Sequence, residues 1–467
     1  MLQKLFHLPN RISALALLVV MIFSIGYFSK IKAWAGRDVF MWDVSSYYWF
    51  LPAIFIHHDP ALHFTDGKEG EYNAHHKYFA ERTPEGNKVN RYTMGTAIMY
   101  SPFFFATLAY DKIRGAEINE FSTDYEFMIS LAALVYVMLA LLLLRNVLLR
   151  FFSDTVVALA IIILPMATNL LFYYTVEGGM THAYSFFLFS ALVWLTVHWY
   201  ESKKTKHAIL LGIVLGLIFL VRPTNIIAGL FFVLYDIHSI ADLTARLKLF
   251  FVVHWKSTLI ISLSLLLAVS PQFIYWKYVS GHWFFYGYGR ERFFFNNPHP
   301  LEGFLSYRKG WLVYTPIMIF SIIGMLMLRK KHAFAIAVPV FFLINSYIVF
   351  SWWSWWYAGG FGQRALIESY PLMILPFCVF MQWLFDKKNK VIIASYLVVV
   401  AFAVHVNLVQ TRQYRVCFIH WDSMTKEAYW AVFLKNGVPP DYDKMLKAPD
   451  NEKALNGEDE YEFSPFN

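Results

Sequence analysis

The chain has 467 residues, 58% of them hydrophobic and only 15% charged, with a formal net charge of +8. Soluble domains are roughly 45–50% apolar and about 25% charged, so a water-soluble fold is excluded. The positive balance sits in short loops between apolar blocks, with no Lys/Arg-rich arm, which argues against a nucleic-acid partner and for membrane topology.

Apolar blocks lie near 11–30, 126–144, 154–173, 182–199, 207–221, 224–236, 257–276, 312–328, 333–350, 366–385 and 390–409. Blocks of this kind cross a hydrocarbon core roughly 30 Å thick. In lipid only helices or closed barrels satisfy the backbone, and unbroken apolar runs lack the alternation of a barrel. The expectation is an all-α polytopic membrane protein of about eleven transmembrane helices. The first block follows Lys4 and Arg11 with no small-residue cleavage site after it, so it reads as a retained span. Cys378 lies in an apolar block and Cys417 in the tail, which gives no disulfide framework.

The segment 94–110 is apolar enough to count as a further span. If it crossed, Arg145, Arg150, Lys203, Lys204 and Lys206 would all face outward. As a helix on the membrane surface, it leaves Lys4/Arg11, Arg145/Arg150, Lys203/Lys204/Lys206, Arg246/Lys248/Lys256, Arg329/Lys330/Lys331 and Lys387/Lys388/Lys390 on one side. Positive-inside reasoning makes that side cytoplasmic. The expected organisation is a transmembrane domain over 1–410, with a long first outer loop over 31–125. A polar tail over 411–467 follows on the outer face, as a small cap or mostly disordered.

The inner loops hold little beyond their basic residues, whereas the outer ones hold Asp43, Asp59, His57, His58, His75, His76, Arg91, Glu177, His182, Arg290, Glu291, Arg308, Lys309 and Arg364. This asymmetry points to an active site outside. Asp43, among Trp42, Tyr47 and Tyr48, is the candidate base. Asp59 precedes Pro60, as a turn residue does, and is otherwise an acceptor or metal contact. The paired histidines suggest a divalent metal, although adjacent histidines point apart and each pair supplies one ligand at most. Arg308 and Lys309 lie opposite the positive-inside bias, Arg364 follows a Gly-rich turn, and Arg222 interrupts two apolar runs. All four are candidates for a lipid phosphate, against an interfacial reading for the first two. Arg290 and Glu291 pair with each other in the simplest reading. Trp352, Trp353, Trp355 and Trp356 read as an interfacial aromatic belt. Tyr47, Tyr48 and Arg91 are candidate acceptor or sugar contacts. Glu177 and His182 are either such contacts or a structural pair.

Outside most cells there is no ATP and no nucleotide-sugar, so group transfer there needs a donor carried by the membrane. A polyprenyl-phosphate sugar fits, because the phosphate leaves without a general acid and one carboxylate base suffices for inversion. A glycosidase needs two carboxylates at a fixed separation. Guanidinium groups suit the leaving phosphate.

Several short pieces occur in one order: Asp43-Val44-Ser45-Ser46-Tyr47-Tyr48, Arg91-Tyr92-Thr93-Met94-Gly95-Thr96-Ala97, Thr181-His182-Ala183, Ser306-Tyr307-Arg308-Lys309-Gly310-Trp311 and Gly359-Gly360-Phe361-Gly362-Gln363-Arg364. With the long first outer loop and its surface helix, this order over about 1–410 resembles the GT-C superfamily of integral-membrane glycosyltransferases. That superfamily includes protein O-mannosyltransferases and lipid A aminoarabinose transferases. The resemblance implies a GT-C-like fold and transfer from a polyprenyl-phosphate sugar to a glycan, lipid or protein hydroxyl. It implies a bacterial inner membrane, with the site facing the periplasm or exterior. Members often carry two adjacent acids in the first loop. Here the second acid, Asp59, is distant, and the Lys-Pro-Pro-Leu-like segment is absent, which leaves sugar and acceptor open. The alternative is a transporter or lipid flippase, which needs ionisable residues along a mid-membrane path.

Overall fold

The computed structural model describes residues 10–35, 39–67 and 78–459. Among the described residues the fold is mostly helical, with one antiparallel hairpin, Ala80–Arg82 paired with Lys88–Asn90, and an isolated bridge between Phe293 and Trp352. Among the described residues six helices are long and apolar enough to cross a membrane: Arg11–Ile31 (extended by a short turn to Ala35), Thr123–Leu148, Thr181–Ser202, Trp255–Ser280, Arg364–Asp386 and Lys390–Arg415. Five shorter apolar helices accompany them: Asp154–Met166, Thr205–Val221, Pro223–Leu234, Pro316–Leu326 and Ala337–Phe350. The chain is thus an integral membrane protein. The long helices, at 1.5 Å per residue, span about 30–40 Å.

Contacts between helix ends sort the loops into two groups. The Asp154 carboxylate accepts from the Ile12 and Ser13 amides at 2.9 and 3.1 Å. It thereby caps a neighbouring helix N-terminus, where unpaired donors and the helix dipole favour an anion. Arg145 donates to Ser13 Oγ at 2.9 Å and to the Asn10 carbonyl at 2.8 Å. Arg150 pairs with Glu201, the Ser153 amide donates to Gln382 at 2.9 Å, and the Asp236 amide donates to the Ala333 carbonyl. The basic loops therefore share one end of the bundle. Every long helix that leaves this end delivers its other terminus to the end that carries Asp43.

The helix Gly95–Ile113 does not run between the two ends. It starts against the backbone of Leu220 and Val221, where the helix Thr205–Val221 finishes. It ends where Arg114 donates to Asp124, in the first turn of Thr123–Leu148, at 3.0 Å. Both termini lie at the Asp43 end, and the helix is absent from those long and apolar enough to cross.

Close packing rests partly on a small-residue stripe. A Cβ at Gly216 would lie 2.6 Å from Ala268 Cβ, and one at Gly212 would lie 2.7 Å from Ser264 Cβ. These glycines let Thr205–Val221 approach Trp255–Ser280 backbone to backbone, the usual device of membrane helices.

Several expected spans are broken. The block 312–328 becomes Trp311–Tyr314, Pro316–Met318 and Ile319–Leu326, and 154–173 becomes Asp154–Met166 and Leu170–Thr175. Proline at the start of Pro316–Met318 and inside Asp154–Met166 removes a backbone donor. The helix Ile240–Lys248, capped by Ser239, lies in what reads as a plain basic loop. The tail is a cap: Lys426–Val432, Tyr442–Met445 and Asn451–Asn456 cover the Asp43 end. Gln410 donates to the Tyr429 hydroxyl at 2.8 Å, Gln413 to the Val432 carbonyl at 2.6 Å, and Trp430 to the Tyr307 hydroxyl at 3.2 Å.

Candidate functional site

Asp43 opens the short helix Asp43–Tyr48, one residue after Trp42 at φ 55° and ψ −125°. A non-glycine residue there stores strain of the kind that collects at functional sites. Asp43 Oδ1 accepts from the Tyr92 hydroxyl at 2.8 Å, and Oδ2 accepts from Arg364 Nη2 at 3.3 Å. The two side chains of that ion pair are 22% and 13% exposed, so the pair is partly open to solvent. Tyr47, one helical turn on, packs its ring 4.7 Å from Tyr92, and Tyr288 meets Tyr92 edge-on at 5.8 Å. Burial, reinforced by the Asp43 charge, keeps the Tyr47 and Tyr92 hydroxyls protonated far above their usual range.

Arg364 reaches Asp43 because a glycine turn lets it pass. A Cβ at Gly360 would sit 2.7 Å from Arg364 Cδ and 3.1 Å from the Tyr173 hydroxyl. The same turn receives Lys309, whose ammonium donates to the Gly360 carbonyl. Lys309 is 1% exposed. Burial, with the Arg364 charge beside it, pushes its amine down to about 7, against the opposing pull of Asp422 and Glu177. Arg308, also buried, donates to the Lys447 carbonyl of the cap at 3.4 Å and lies over the Trp356 ring.

One turn beyond Arg364, on the 3-10 helix Arg364–Ser369, stands Glu368, which is 1% exposed. Its Oε1 meets His182 Nδ1 at 3.1 Å and Arg222 Nη1 at 3.3 Å. Arg222 stacks over Tyr357 at 5.2 Å. The site thus holds two ion pairs side by side on one short helix: Asp43 with Arg364, and Glu368 with Arg222.

The structure brings Asp43, Tyr47, Arg222, Lys309 and Arg364 together, with Arg308 behind Lys309 and Glu177 close enough for its charge to act on Lys309 and Tyr173. Arg91 borders the cluster through Tyr288, at 5.4 Å from its ring, and is bonded to Glu291 at 2.5 Å. That bond corrects the expected Arg290–Glu291 pair: Arg290 meets Glu452 of the cap at 3.2 Å instead. His182 likewise pairs with Glu368 and not with Glu177. Tyr48 lies one residue off the Asp43–Tyr47 face. It is fully buried, stacks on Phe40 and donates to the Glu120 carbonyl at 2.6 Å, so it makes packing contacts. Asp59 closes a local turn, accepting from the Ala61 and Phe64 amides at 3.2 and 2.9 Å.

Trp355 and Trp356 are 1% and 0% exposed beneath Ala454 of the cap, so these two belong to a packed core and not to a lipid-facing belt. His57 bonds Glu120 at 2.7 Å; His75 and His76 lie outside the described residues. Among the described residues no group of three or more His, Cys, Asp or Glu gathers where a metal ion would sit. Cys378 and Cys417 are both free.

Two residues of the site escape a sequence reading. Glu368 stands inside an apolar block, and an acid within a span is itself a functional signal. Tyr92 adjoins Arg91, whose charge draws attention first.

No protein-family model matches the sequence, and no curated protein matches it either. Among solved structures, the chain is similar to the archaeal oligosaccharyltransferase AglB from Archaeoglobus fulgidus in complex with an inhibitory peptide and a dolichol-phosphate. That match has 12% identity and a TM-score of 0.49, covering 96% of this chain and 60% of that one. The Archaeoglobus fulgidus oligosaccharyltransferase in the apo form matches with 12% identity and a TM-score of 0.47, at the same coverages. The chain spans about three-fifths of the length of these two proteins.

Proposed function

We propose that the protein is an inverting glycosyltransferase of GT-C type, taking a sugar from a polyprenyl-phosphate donor to an acceptor hydroxyl on the non-cytoplasmic face of a bacterial inner membrane. In this reading the eleven apolar blocks cross, the shorter helices together with the turns that extend them, and Gly95–Ile113 lies along the outer surface. One observation carries it. Asp43 and Arg364, 321 positions apart, meet as a partly exposed pair at the end of the bundle away from the basic loops. An acid beside several cations suits a base next to a phosphate leaving group.

In the reaction, Asp43 takes the proton of the acceptor hydroxyl. The acceptor oxygen forms a bond to the anomeric carbon from the face opposite the phosphate. The carbon–oxygen bond to phosphate breaks, and its electron pair leaves with the polyprenyl phosphate. Arg364, Arg222, Lys309 and Arg308 hold that phosphate, and Tyr47 and Arg91 border the acceptor side.

The test compares cell envelopes with and without the protein by mass spectrometry, with Asp43→Asn as a third arm. Loss of one sugar from a glycan, lipid or protein, reproduced by Asp43→Asn, is the expected result. Wild-type transfer by a folded Asp43→Asn protein rules out the base. An envelope glycan that is complete but accumulates on the wrong face of the membrane favours the flippase reading.

A further inference from the structure

Both oxygens of the Asp43 carboxylate are engaged. Oδ1 receives the Tyr92 hydroxyl, and Oδ2 faces the Arg364 guanidinium. Each oxygen keeps a further lone pair, but a donor already bound there competes with an incoming proton, so releasing one partner frees that oxygen to act as a base. The two partners are unequal. Tyr92 is fixed on several sides: its amide donates to Asn90 Oδ1 at 3.1 Å, its ring is packed by Tyr47, Phe79 and Tyr288, and Asn90 is itself tied to the Ser46 carbonyl at 2.6 Å. Arg364 is held at 3.3 Å, and its Nε is buried without a hydrogen-bond partner. That spare donor suits a second acceptor.

Counting charge gives the same answer. Arg222 is matched by Glu368, Arg91 by Glu291 and Arg364 by Asp43. Lys309 meets only a carbonyl among its hydrogen bonds. An arriving phosphate finds these three guanidinium groups already matched, and gains one outright only if it leaves its carboxylate. Glu368 is buried, with no route to solvent for an abandoned charge. Asp43 is partly exposed, so its pair is the less costly one to open.

We propose that Tyr92 is a positioning residue that keeps Asp43 aimed through Oδ1, while Arg364 moves from Oδ2 to the phosphate of an incoming lipid-linked donor, so that Oδ2 becomes a base only once the donor is in place. The inference rests on the glycosyl-transfer reading above and adds an order to it: donor first, acceptor second. In the transfer, the acceptor proton goes to Oδ2, the acceptor oxygen bonds to the anomeric carbon, and the phosphate leaves with its electron pair against Arg364. Water entering without a donor meets a masked carboxylate.

The test needs no knowledge of the sugar. Purified full-length protein in nanodiscs is treated with a hydrophobic carbodiimide at one fixed, mildly acidic pH, and labelling of Asp43 is followed by peptide mass spectrometry. A carbodiimide reacts with the protonated acid, so losing a donor or a cation from the carboxylate speeds labelling. Tyr92→Phe and Arg364→Gln should each raise the labelling rate. Arg364→Lys should fall between. Adding a polyprenyl monophosphate, with binding followed by thermal shift, should raise wild-type labelling toward the Arg364→Gln rate and leave Arg364→Gln unchanged. Binding without a rise in wild-type labelling overturns the exchange. Unchanged labelling in Tyr92→Phe overturns the positioning role. Either failure leaves the glycosyl-transfer reading intact if Asp43→Asn still abolishes transfer in cells; a polyprenyl monophosphate that does not bind overturns both.

Discussion

The two ends of the bundle use charge in opposite ways. At the basic end Arg145 and Arg246 are buried, but other cations lie on the rim. Arg150 meets a half-exposed Glu201, and Lys203 lies over the rings of Trp199 and Tyr200. At the Asp43 end Lys309 and Arg308 are almost wholly buried, Arg308 reaches the cap, and Arg222 and Arg364 each face a carboxylate. The rim pairs hold charge where water can solvate it, and that arrangement needs little geometry. The other end holds charge out of water, where each ion requires a specific partner.

Removing a buried carboxylate probes this contrast most strongly. Glu368→Ala leaves Arg222 and His182 without their shared acid. Thermal unfolding in detergent should report a loss of about 3–5 kcal/mol. The matching change at the basic end, Glu201→Ala, should cost less than about 1 kcal/mol. Equal losses at both ends would break the comparison.

Packing gives the next effect. Gly216→Leu drives a side chain into Ala268 and the backbone of Leu265. A loss of about 1–3 kcal/mol is expected from overpacking, read by the same unfolding assay, with no change in Asp43 labelling at a temperature where the variant is folded.

The pH dependence of the site is set by Lys309. Its amine is pushed down to about 7, below its unfolded value, so the folded chain binds fewer protons than the unfolded chain above that pH. Stability should therefore rise as pH increases from about 7, and Lys309→Met should flatten that rise. The charge runs the other way for ligands: polyprenyl monophosphate should bind less tightly as pH rises through about 7, and Lys309→Arg should remove that decline. A wild-type affinity that is flat across this range would mean that Lys309 does not face the phosphate.

The smallest effect belongs to Arg290→Ala. Its pair with Glu452 is 65% and 73% exposed, and no measurable change in unfolding is expected.

The sequence by itself determined that the chain is a helical membrane protein, because long apolar runs and 15% charge leave no other fold for it. It also separated the basic loops from the loop carrying Asp43, and it singled out Asp43, Arg222, Lys309 and Arg364, because an ion near lipid is costly enough to be conspicuous. Only the tertiary structure decided the pairings. Glu368 lies 146 positions from Arg222, and Tyr92 lies 49 from Asp43, distances over which no local pattern carries information. The same holds for the tail and the tryptophans beneath it. Whether Trp355 faces lipid or Ala454 depends on where a segment about a hundred residues later returns, and long-range packing alone sets that.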